Sequence, residues 1–183
     1  MFHQYTHHRL HALIMYLKLS LAILVVFSMV VLVVRFFVES PGIINGPSME
    51  PRFIDTDFFW VNKLYYFLTE PQRYDVVQIV NLNDKKIIIK RIVGLPGETV
   101  TIKRGHVYIQ QSVDTPEILL DEPYLEKGQY TTIPGQNGPL TFTLYAGDYF
   151  VMGDNRPDST DSRHYGPVNR QFIIGRVVGA GKM

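Results

Sequence analysis

The sequence predicts a mainly β protein in which a single transmembrane helix precedes an extracytoplasmic antiparallel β-domain. Two observations support this prediction. The longest apolar run of the 183-residue chain lies near the N-terminus, and the chain after Ser40-Pro41-Gly42 consists of short segments rich in β-branched and aromatic residues. Turn-forming residues separate these segments, and no long 3.6-residue periodicity follows the apolar run. Residues 39–183 have a suitable length for one domain with its own hydrophobic core.

The apolar run at residues 17–38 is interpreted as an uncleaved membrane anchor. At 1.5 Å per residue, about 20 residues cross the hydrocarbon core, and this run suffices if Lys18 and Arg35 extend toward the two lipid surfaces. A cleavable signal peptide is the alternative, but its apolar region is only about 7 to 15 residues long and small residues follow it. The residues around Arg35 offer no such cleavage site.

Basic residues on either side of the anchor predict its orientation. Arg9 and Lys18 outweigh Arg35, which lies close to Glu39, and positive charge favours the cytoplasmic side. Residues 1–16 are therefore expected to form a cytoplasmic tail, and the chain after the anchor is expected to lie outside the cell membrane. Four of the six histidines are in the tail, where a metal site or a pH sensor is the alternative to a solvated segment.

The β-domain is expected to contain eight strands, at residues 58–61, 76–80, 86–93, 100–102, 107–109, 141–144, 149–152 and 173–178. One or two helical turns are expected within residues 62–70. Turns are expected at Asn83-Asp84, Pro96-Gly97, Arg104-Gly105, Pro134-Gly135, Asn137-Gly138 and Ala146-Gly147-Asp148. Residues 111–140, with several prolines and glycines, are expected to form an irregular excursion that tolerates substitution.

Composition excludes several classes of function. The formal net charge is +1 and no cluster of Lys and Arg is present, which argues against nucleic acid as a partner. The chain has no cysteine, which excludes disulfides, a thiol nucleophile and cysteine-ligated metal sites. Nothing in the sequence indicates a cofactor or a metal centre, and we expect neither.

The stretch from Ile44 to Pro51 contains a candidate nucleophile, Ser48. Gly46 lets the backbone approach a bound peptide closely and Pro47 fixes one dihedral angle, so Ser48 would lie in a defined turn. A surface turn is the alternative, because Gly-Pro-Ser is ordinary turn composition. A serine nucleophile also needs a base to accept its proton.

Lys90 is the preferred candidate for this base. In a strand, Ile88, Lys90 and Ile92 share one face, and Arg91 points to the other. Isoleucines beside Lys90 indicate an apolar setting, and desolvation lowers the pKa of a buried lysine below its ordinary value of about 10.4. The alternative is a lysine that extends into water.

Two histidines outside the tail are the other candidate bases. His164 follows Asp161 closely, which leaves a Ser-His-Asp arrangement open. His106 lies in a turn that leads into a strand, where a surface role is the simpler interpretation.

A third stretch, from Gly153 to Gly166, is dense in hydrogen-bonding side chains. A solvated loop and a calcium loop are alternatives, but Arg156 and Arg163 would place positive charge among the oxygen ligands of a calcium ion. A loop that supports a site fits better, and Ser159 or Ser162 would hold the neutral lysine amine in place.

These three stretches together resemble the bacterial type I signal peptidases. Gly46–Pro51 is similar to their G-x-S-M-x-P box, Lys90–Glu98 to K-R-x-x-G-x-P-G-[DE], and Gly153–Arg163 to G-D-N-R-x-x-S-x-D-S-R. Arg73–Val77 and Leu120–Tyr124 are weaker similarities. The order of the boxes behind an N-terminal anchor makes the resemblance specific.

The resemblance implies a role for each matching residue. Ser48 would be the nucleophile and Lys90 the general base, in a dyad that acts through an acyl-enzyme. Ser159 would orient the lysine, and the Ser48 backbone N–H would bind the oxyanion. The remaining supporting residues would be Gly46, Arg91, Asp154, Asp161 and Arg163. Walls of shallow substrate pockets are expected at Ile44, Met49, Ile88 and Ile89.

The chain departs from the family pattern at several positions. Some members have a serine where this chain has Gly46, so a second oxyanion donor must be found elsewhere. Arg52-Phe53 replaces the commoner Thr-Leu, Tyr74 replaces a glycine, and Pro157-Asp158 lies within the third box. None of these departures removes a catalytic side chain.

The resemblance implies that the protein removes N-terminal signal peptides from exported preproteins with small residues near the cleavage site, at the outer face of the lipid bilayer. Two other hypotheses stay open at this point. One is a catalytically idle relative that assists assembly of one secreted substrate. The other is a self-cleaving protein of the same β-fold, as in repressor-type proteins, although the anchor and the lack of a DNA-binding segment disfavour it.

Overall fold

A computed structural model of the chain describes residues 2–81, 85–132, 135 and 138–181. The chain separates into two units, residues 1–39 and residues 40–183. The first unit is one helix, α1, Phe2–Val38. Neither glycine nor proline occurs between these residues, so nothing in the local sequence ends the helix before the anchor begins.

The helix has one stretch, Leu13–Arg35, that is long and apolar enough to cross a membrane. Its described side chains are exposed within the protein. This span begins four residues before the anchor expected at residues 17–38, and the segment expected to form the tail is helical from Phe2 onward. Lys18 lies inside the span, where its long side chain must extend along the helix to reach water.

The second unit consists of antiparallel strands and short helices. The strands are β1, Glu39–Ile43; β2, Phe58–Asn62; β3, Val76–Val80; β4, Ile87–Gly94; β5, Thr99–Lys103; β6, His106–Gln110; β7, Ile118–Leu119; β8, Leu140–Thr143; β9, Asp148–Met152; β10, Val168–Asn169; and β11, Ile173–Gly181. The helices are α2, Tyr65–Leu68, and α3, Ser162–Tyr165, and a 3₁₀ turn covers Arg170–Phe172.

These strands form two sheets. The larger has the order β1-β2-β11-β3-β4-β9-β10, and the smaller has the order β7-β6-β5-β8. The domain has three buried apolar clusters. The first, around Ile44, Met49 and Val61, and the second, around Val77, Ile79 and Ile92, consist of residues of the larger sheet and its connections. The third, around Val93, Val100 and Phe150, contains residues of both sheets and joins them. Gly94 lies at the end of β4 beside the third cluster, and a Cβ there would overlap with Val100, so only glycine permits this close approach.

The fold class expected from the sequence is confirmed, and each of the eight expected strands is present, with no end shifted by more than three residues. The short strands β1, β7 and β10 and the helix α3 were not expected. Of the expected turns, Asn83-Asp84, Pro134 and Asn137 lie outside the described residues. The described residues between 111 and 139 are irregular apart from β7, as expected.

Two features of the sheet position the site. β4 pairs with β3 along Ile87–Arg91, whereas its pairing with β9 begins only at Arg91. Within the described part of the chain, Ile87–Lys90 therefore have no strand partner on the side away from β3. We call this stretch the open edge of β4.

Candidate active site

Ser48 and Lys90 lie in contact. Ser48 is in the loop between β1 and β2, Lys90 is at the end of the open edge of β4, and the Lys90 Nζ atom is 2.7 Å from the Ser48 Oγ atom. Nζ also donates a hydrogen bond to the Ile89 carbonyl oxygen at 3.0 Å. The two residues are 42 positions apart in sequence, so the fold rather than local geometry creates this contact.

Burial changes the acid strength of Lys90. The residue is 3% exposed, and removal from water lowers the pKa of its amine to about 8. The carboxylates of Asp161 and Asp154 act in the opposite direction by attracting the ammonium, but desolvation prevails. A useful fraction of the amine is therefore neutral, and able to accept a proton, near neutral pH.

Arg91 points to the opposite face of β4, as the strand alternation predicts. Its guanidinium forms two hydrogen bonds with the Asp154 carboxylate, at 2.7 and 2.5 Å, and donates another to the Tyr74 carbonyl oxygen at 2.8 Å. The Tyr124 ring lies 4.2 Å from the guanidinium carbon. Both charged partners are buried, so this pair fixes the strand that carries Lys90 to the third stretch.

Asp161 organises the third stretch. Its carboxylate accepts hydrogen bonds from the Gly153 N–H at 3.0 Å and from Arg163, whose Nε and one terminal nitrogen both lie at 2.8 Å. It also caps α3 by accepting from the Arg163 N–H. Burial by itself raises the pKa of the Asp161 carboxyl, but the bonds and charge of Arg163 and the Gly153 N–H outweigh it and hold the pKa below its ordinary value.

Gly153 and Asn155 connect this stretch to the nucleophile. The Asn155 N–H donates to the Ser48 carbonyl oxygen at 3.1 Å. A Cβ at Gly153 would overlap with that same carbonyl oxygen and with Ser159 Oγ, so the chain passes here only because the residue is glycine. On the other side of the loop, the Gly46 N–H donates to Asp55 Oδ1 at 2.7 Å.

Ser159 is buried beside Gly153, close to the site. Its Oγ atom has no hydrogen-bond partner within the described residues, so the bond to Lys90 expected from the resemblance is not formed in this structure. The hydroxyl lies near enough to the Asp161 carboxylate to favour its charged form, and so contributes to the lowered pKa of that carboxyl.

The two alternative bases have other contacts. His164 Nδ1 accepts from the Asp161 N–H at 3.3 Å and completes the capping box of α3. His106 begins β6 in the smaller sheet, and its ring packs edge-on against the Tyr130 ring at 5.9 Å. Within the described residues the Ser48 hydroxyl contacts neither, and the only basic group that it contacts is Lys90.

A groove of about 400 Å³ lies beside the dyad, between the end of β1 and the open edge of β4. Of the four residues expected to form substrate pockets, Ile44, Ile88 and Ile89 line it, whereas Met49 is fully buried in the first apolar cluster and does not. The sequence analysis missed five further lining residues: Ile43, Asn45, Phe59, Lys86 and Ile87. Their positions in the sequence could have identified four of them, because Ile43, Asn45, Lys86 and Ile87 lie beside the expected wall residues at the end of β1 and the start of β4.

Arg156 was also missed as a supporting residue. It is 1% exposed, and its guanidinium bonds to the Glu122 carboxylate, to the Thr131 hydroxyl and to the Tyr124 hydroxyl. The expected tolerance of the segment 111–140 therefore does not extend to these residues, because the structure anchors them to the site through a buried charge. The described residues contain no cluster of His, Cys, Asp or Glu able to hold a metal ion.

The fold and the site thus define a serine peptidase with an N-terminal helix long enough to span a membrane, and comparisons with known proteins agree. The family described as "Signal peptidase, peptidase S26" matches residues 16–180. Signal peptidase I of Bacillus caldolyticus is 33% identical over 81% of this chain and 82% of its own length, and signal peptidase I T of Bacillus subtilis is 35% identical over 87% and 82%. A crystal structure of a signal peptidase I from Enterococcus faecalis is 30% identical, with a TM-score of 0.48 over 60% of this chain and 98% of that one.

The chain belongs to the signal peptidase family, peptidase S26. It is a serine endopeptidase of the signal peptidase I type, whose substrates are preproteins that carry signal peptides.

Proposed function

We propose that this protein cleaves signal peptides from exported preproteins with Ser48 as nucleophile and Lys90 as general base. The observation that carries the proposal is the 2.7 Å contact between Lys90 Nζ and Ser48 Oγ, made by an amine whose burial lowers its pKa to about 8. A neutral amine at this distance accepts a hydrogen bond from the serine hydroxyl and is ready to take its proton.

In the proposed reaction, Ser48 Oγ attacks the scissile carbonyl carbon while Lys90 Nζ takes the hydroxyl proton. The ammonium then gives that proton to the leaving nitrogen, the peptide C–N bond breaks, and the mature protein departs with a new amino terminus. Lys90 is neutral again, so it can take a proton from water as the water oxygen attacks the acyl-enzyme ester. That proton passes to Ser48 Oγ as the ester C–O bond breaks, and the signal peptide leaves as a carboxylic acid, which releases the second water proton to solvent and becomes a carboxylate.

The oxyanion that forms in each step needs a donor, and we assign the Ser48 N–H. Within the described residues this N–H has no acceptor, whereas the Gly46 N–H is bonded to Asp55. Ser48 carries both the attacking oxygen and the donor, so its loop must be held firmly, and the contacts from Asn155 and Gly153 support that role.

Substrate binding is proposed to occur along the open edge of β4. An extended peptide in the groove would find those backbone groups of Ile87–Lys90 that point away from β3, apart from the Ile89 carbonyl oxygen that Lys90 Nζ already contacts, and Ile43–Asn45 form the facing wall. Isoleucine side chains reach into the groove from both walls and leave room for small side chains near the cut, which supports the expected preference for small residues.

We propose that α1 anchors the protein in the cell membrane with its N-terminus in the cytoplasm. The support is the apolar span Leu13–Arg35 and the excess of basic residues before its centre. The anchor would confine the dyad to the layer where an emerging signal peptide lies, which raises the effective concentration of substrate without any added contact.

The decisive experiment is cleavage of a purified preprotein by the full chain in detergent. Ser48→Ala and Lys90→Met should each lower kcat/KM by a factor of at least about 10⁴, because the loss of one member of a catalytic unit costs about as much activity as the loss of all its members. Asn45→Ala, which alters the groove but not the dyad, should retain measurable cleavage. Wild-type turnover by either dyad variant would refute the assignment, and a wild-type chain that cleaves no preprotein would favour an idle relative.

A further inference from the structure

A second cavity, of about 310 Å³, lies behind the catalytic dyad. It exists because β3 begins at Val76, whereas β11 continues past Arg176, the last residue that pairs with β3. The gap beside Val177–Ala180 is closed by the segment before β3 and by the end of the Ser48 loop. None of its lining residues lines the substrate groove.

Three arginines line this cavity, and one of them has no acidic partner. Arg91 is paired with Asp154, and Arg176 Nε lies 2.9 Å from Asp75 Oδ1. Arg52 is exposed, and within the described chain no carboxylate comes within 4.0 Å of its guanidinium. The cavity thus has about one uncompensated positive charge.

Hydrogen-bond donors toward the cavity are also available. The Asp75 carboxylate pairs with Arg176 and accepts hydrogen bonds from the Tyr66 hydroxyl and the Gln72 N–H. The terminal nitrogens of Arg176 make no hydrogen bond within the described residues, and its side chain is 38% exposed. Arg52 and Arg176 together offer two planar forks, the geometry that binds phosphate oxygens in pairs.

Three of the residues by which the chain departs from the family pattern line this cavity. Arg52 and Phe53 replace the commoner Thr-Leu, Tyr74 replaces a glycine, and all three line it. Phe53 also donates its N–H to the carbonyl of Met49, the residue after the nucleophile, at 3.1 Å. The wall of the cavity is therefore continuous with the Ser48 loop.

We propose that the cavity binds a phosphate group, and that its source is the head group of a membrane phospholipid. A phosphodiester carries one negative charge, which matches the uncompensated charge of Arg52, and the exposed residues Val178, Gly179 and Ala180 form a rim without charge against which the glycerol part can lie. Only residues 36–39 separate the span Leu13–Arg35 from the second unit in the sequence. The choice of a lipid over free phosphate as the source rests on the proposed membrane anchor. The proposal that the cavity binds a phosphate group rests only on the arginines that line it.

The test measures anion binding by the full chain in a neutral detergent. Binding is detected as a rise in the unfolding temperature of the domain, which is monitored through Trp60, the single tryptophan. The probes are dihexanoylphosphatidylglycerol, inorganic phosphate, dihexanoylphosphatidylcholine and an acidic tetrapeptide, at equal ionic strength. Phosphatidylglycerol should raise the unfolding temperature of the wild type by several degrees. Arg52→Gln should need at least about ten times more of it for the same rise, because the variant loses a charge-assisted pair of hydrogen bonds.

Two controls make the result specific. Arg104→Gln removes the same charge from an exposed turn of the smaller sheet and should bind like the wild type. Arg52→Lys keeps the charge but loses the fork, so it should bind with intermediate strength and would replace Arg52→Gln if that variant failed to fold.

Each outcome bears on the proposal. A response to phosphatidylglycerol that depends on Arg52 supports the lipid source, and an equal response to inorganic phosphate supports the phosphate site with a free source. No response, an equal rise in Arg52→Gln, or a response to the acidic peptide alone would overturn it. Binding requires no turnover, so failure here leaves the peptidase proposal intact.

Discussion

At the scale of single residues, the site depends on one amine that is kept out of water. Lys90 is surrounded by the isoleucines of its own strand, the Ser48 loop and the third stretch, and its charged form is disfavoured by burial despite two carboxylates nearby. A free lysine would be almost wholly protonated at pH 7, with a pKa of about 10.4. Burial therefore gives Lys90 the property that its proposed role as general base requires.

The pH dependence of cleavage should report this amine. With a pKa of about 8 in the free enzyme, kcat/KM should be level above about pH 9 and should fall about tenfold per pH unit below about pH 7.5, because only neutral Lys90 accepts a proton. Initial rates at low substrate concentration give the profile. His164→Gln should keep the same limb, because glutamine can also cap α3. A limb that disappears in this variant would instead identify the histidine as the base.

At the scale of elements, the Ser48 loop is held by a stretch far along the chain. The contact that matters is the close passage of Gly153 past the Ser48 carbonyl oxygen, reinforced by the Asn155 N–H. Asp161 holds Gly153 in turn, through the Gly153 N–H. The loop that carries the nucleophile and the loop that supports it therefore form one packed unit.

Replacement of Gly153 by alanine tests this unit. The new Cβ would displace the Ser48 carbonyl oxygen or Ser159, and a shift of about 1 Å in the nucleophile is expected to lower kcat by about 10²-fold. Gly138→Ala is the matched control, because a Cβ there would meet nothing within 4 Å, and it should be neutral. Steady-state cleavage and unfolding of both variants separate a local shift from loss of the fold. An active, stable Gly153→Ala protein would contradict the assigned geometry.

The strands differ in how well the sequence predicts them. The long strands β3, β4 and β9 have continuous β-branched and aromatic composition, and their positions were predicted closely. β1 contains Pro41 and Gly42, which indicate a turn, yet both are tolerated because this strand is at the edge of the sheet. β7 and β10 have two residues each and exist only because a neighbouring strand offers hydrogen bonds.

Parts of the candidate site were predictable for the same reason. The apolar surroundings of Lys90 follow from strand alternation, a local property. The open edge of β4 depends on where β9 begins, and the burial of Arg156 depends on Glu122 and Thr131, which come from a distant, irregular segment. Such features arise from tertiary contacts, and a run of polar residues in the sequence gives no sign of them.

At the scale of the whole molecule, the buried amine has a thermodynamic consequence. A lysine whose pKa is lowered by folding destabilises the folded state, and this cost is fully present below the folded pKa of about 8 and fades as pH rises through the unfolded value of 10.5. A shift of this size corresponds to about 3 kcal/mol near pH 7. The base that the reaction requires thus opposes the stability of the domain.

Lys90→Met should therefore stabilise the domain while it abolishes cleavage. Methionine has a similar shape and no charge, so the free energy of unfolding should rise by up to about 3 kcal/mol near pH 7, and the gain should diminish above about pH 8 and be lost above about pH 10.5. Chemical unfolding of the full chain in detergent, followed through Trp60, measures it. An exposed lysine supplies the control, and Lys127→Met should change stability little at any pH. Equal stability of wild type and Lys90→Met at pH 7 would contradict the buried ammonium.

If substrates bind along the open edge of β4, as proposed, the stage at which a substrate can be cleaved is also restricted. A polypeptide that completes this sheet must present several consecutive residues in a drawn-out conformation, with their amide groups not yet committed to a helix or sheet of their own. Peptide bonds inside a folded globular protein would therefore not be cleaved, even where small side chains flank them. Processing would belong to the interval after a chain leaves the membrane and before its first residues fold.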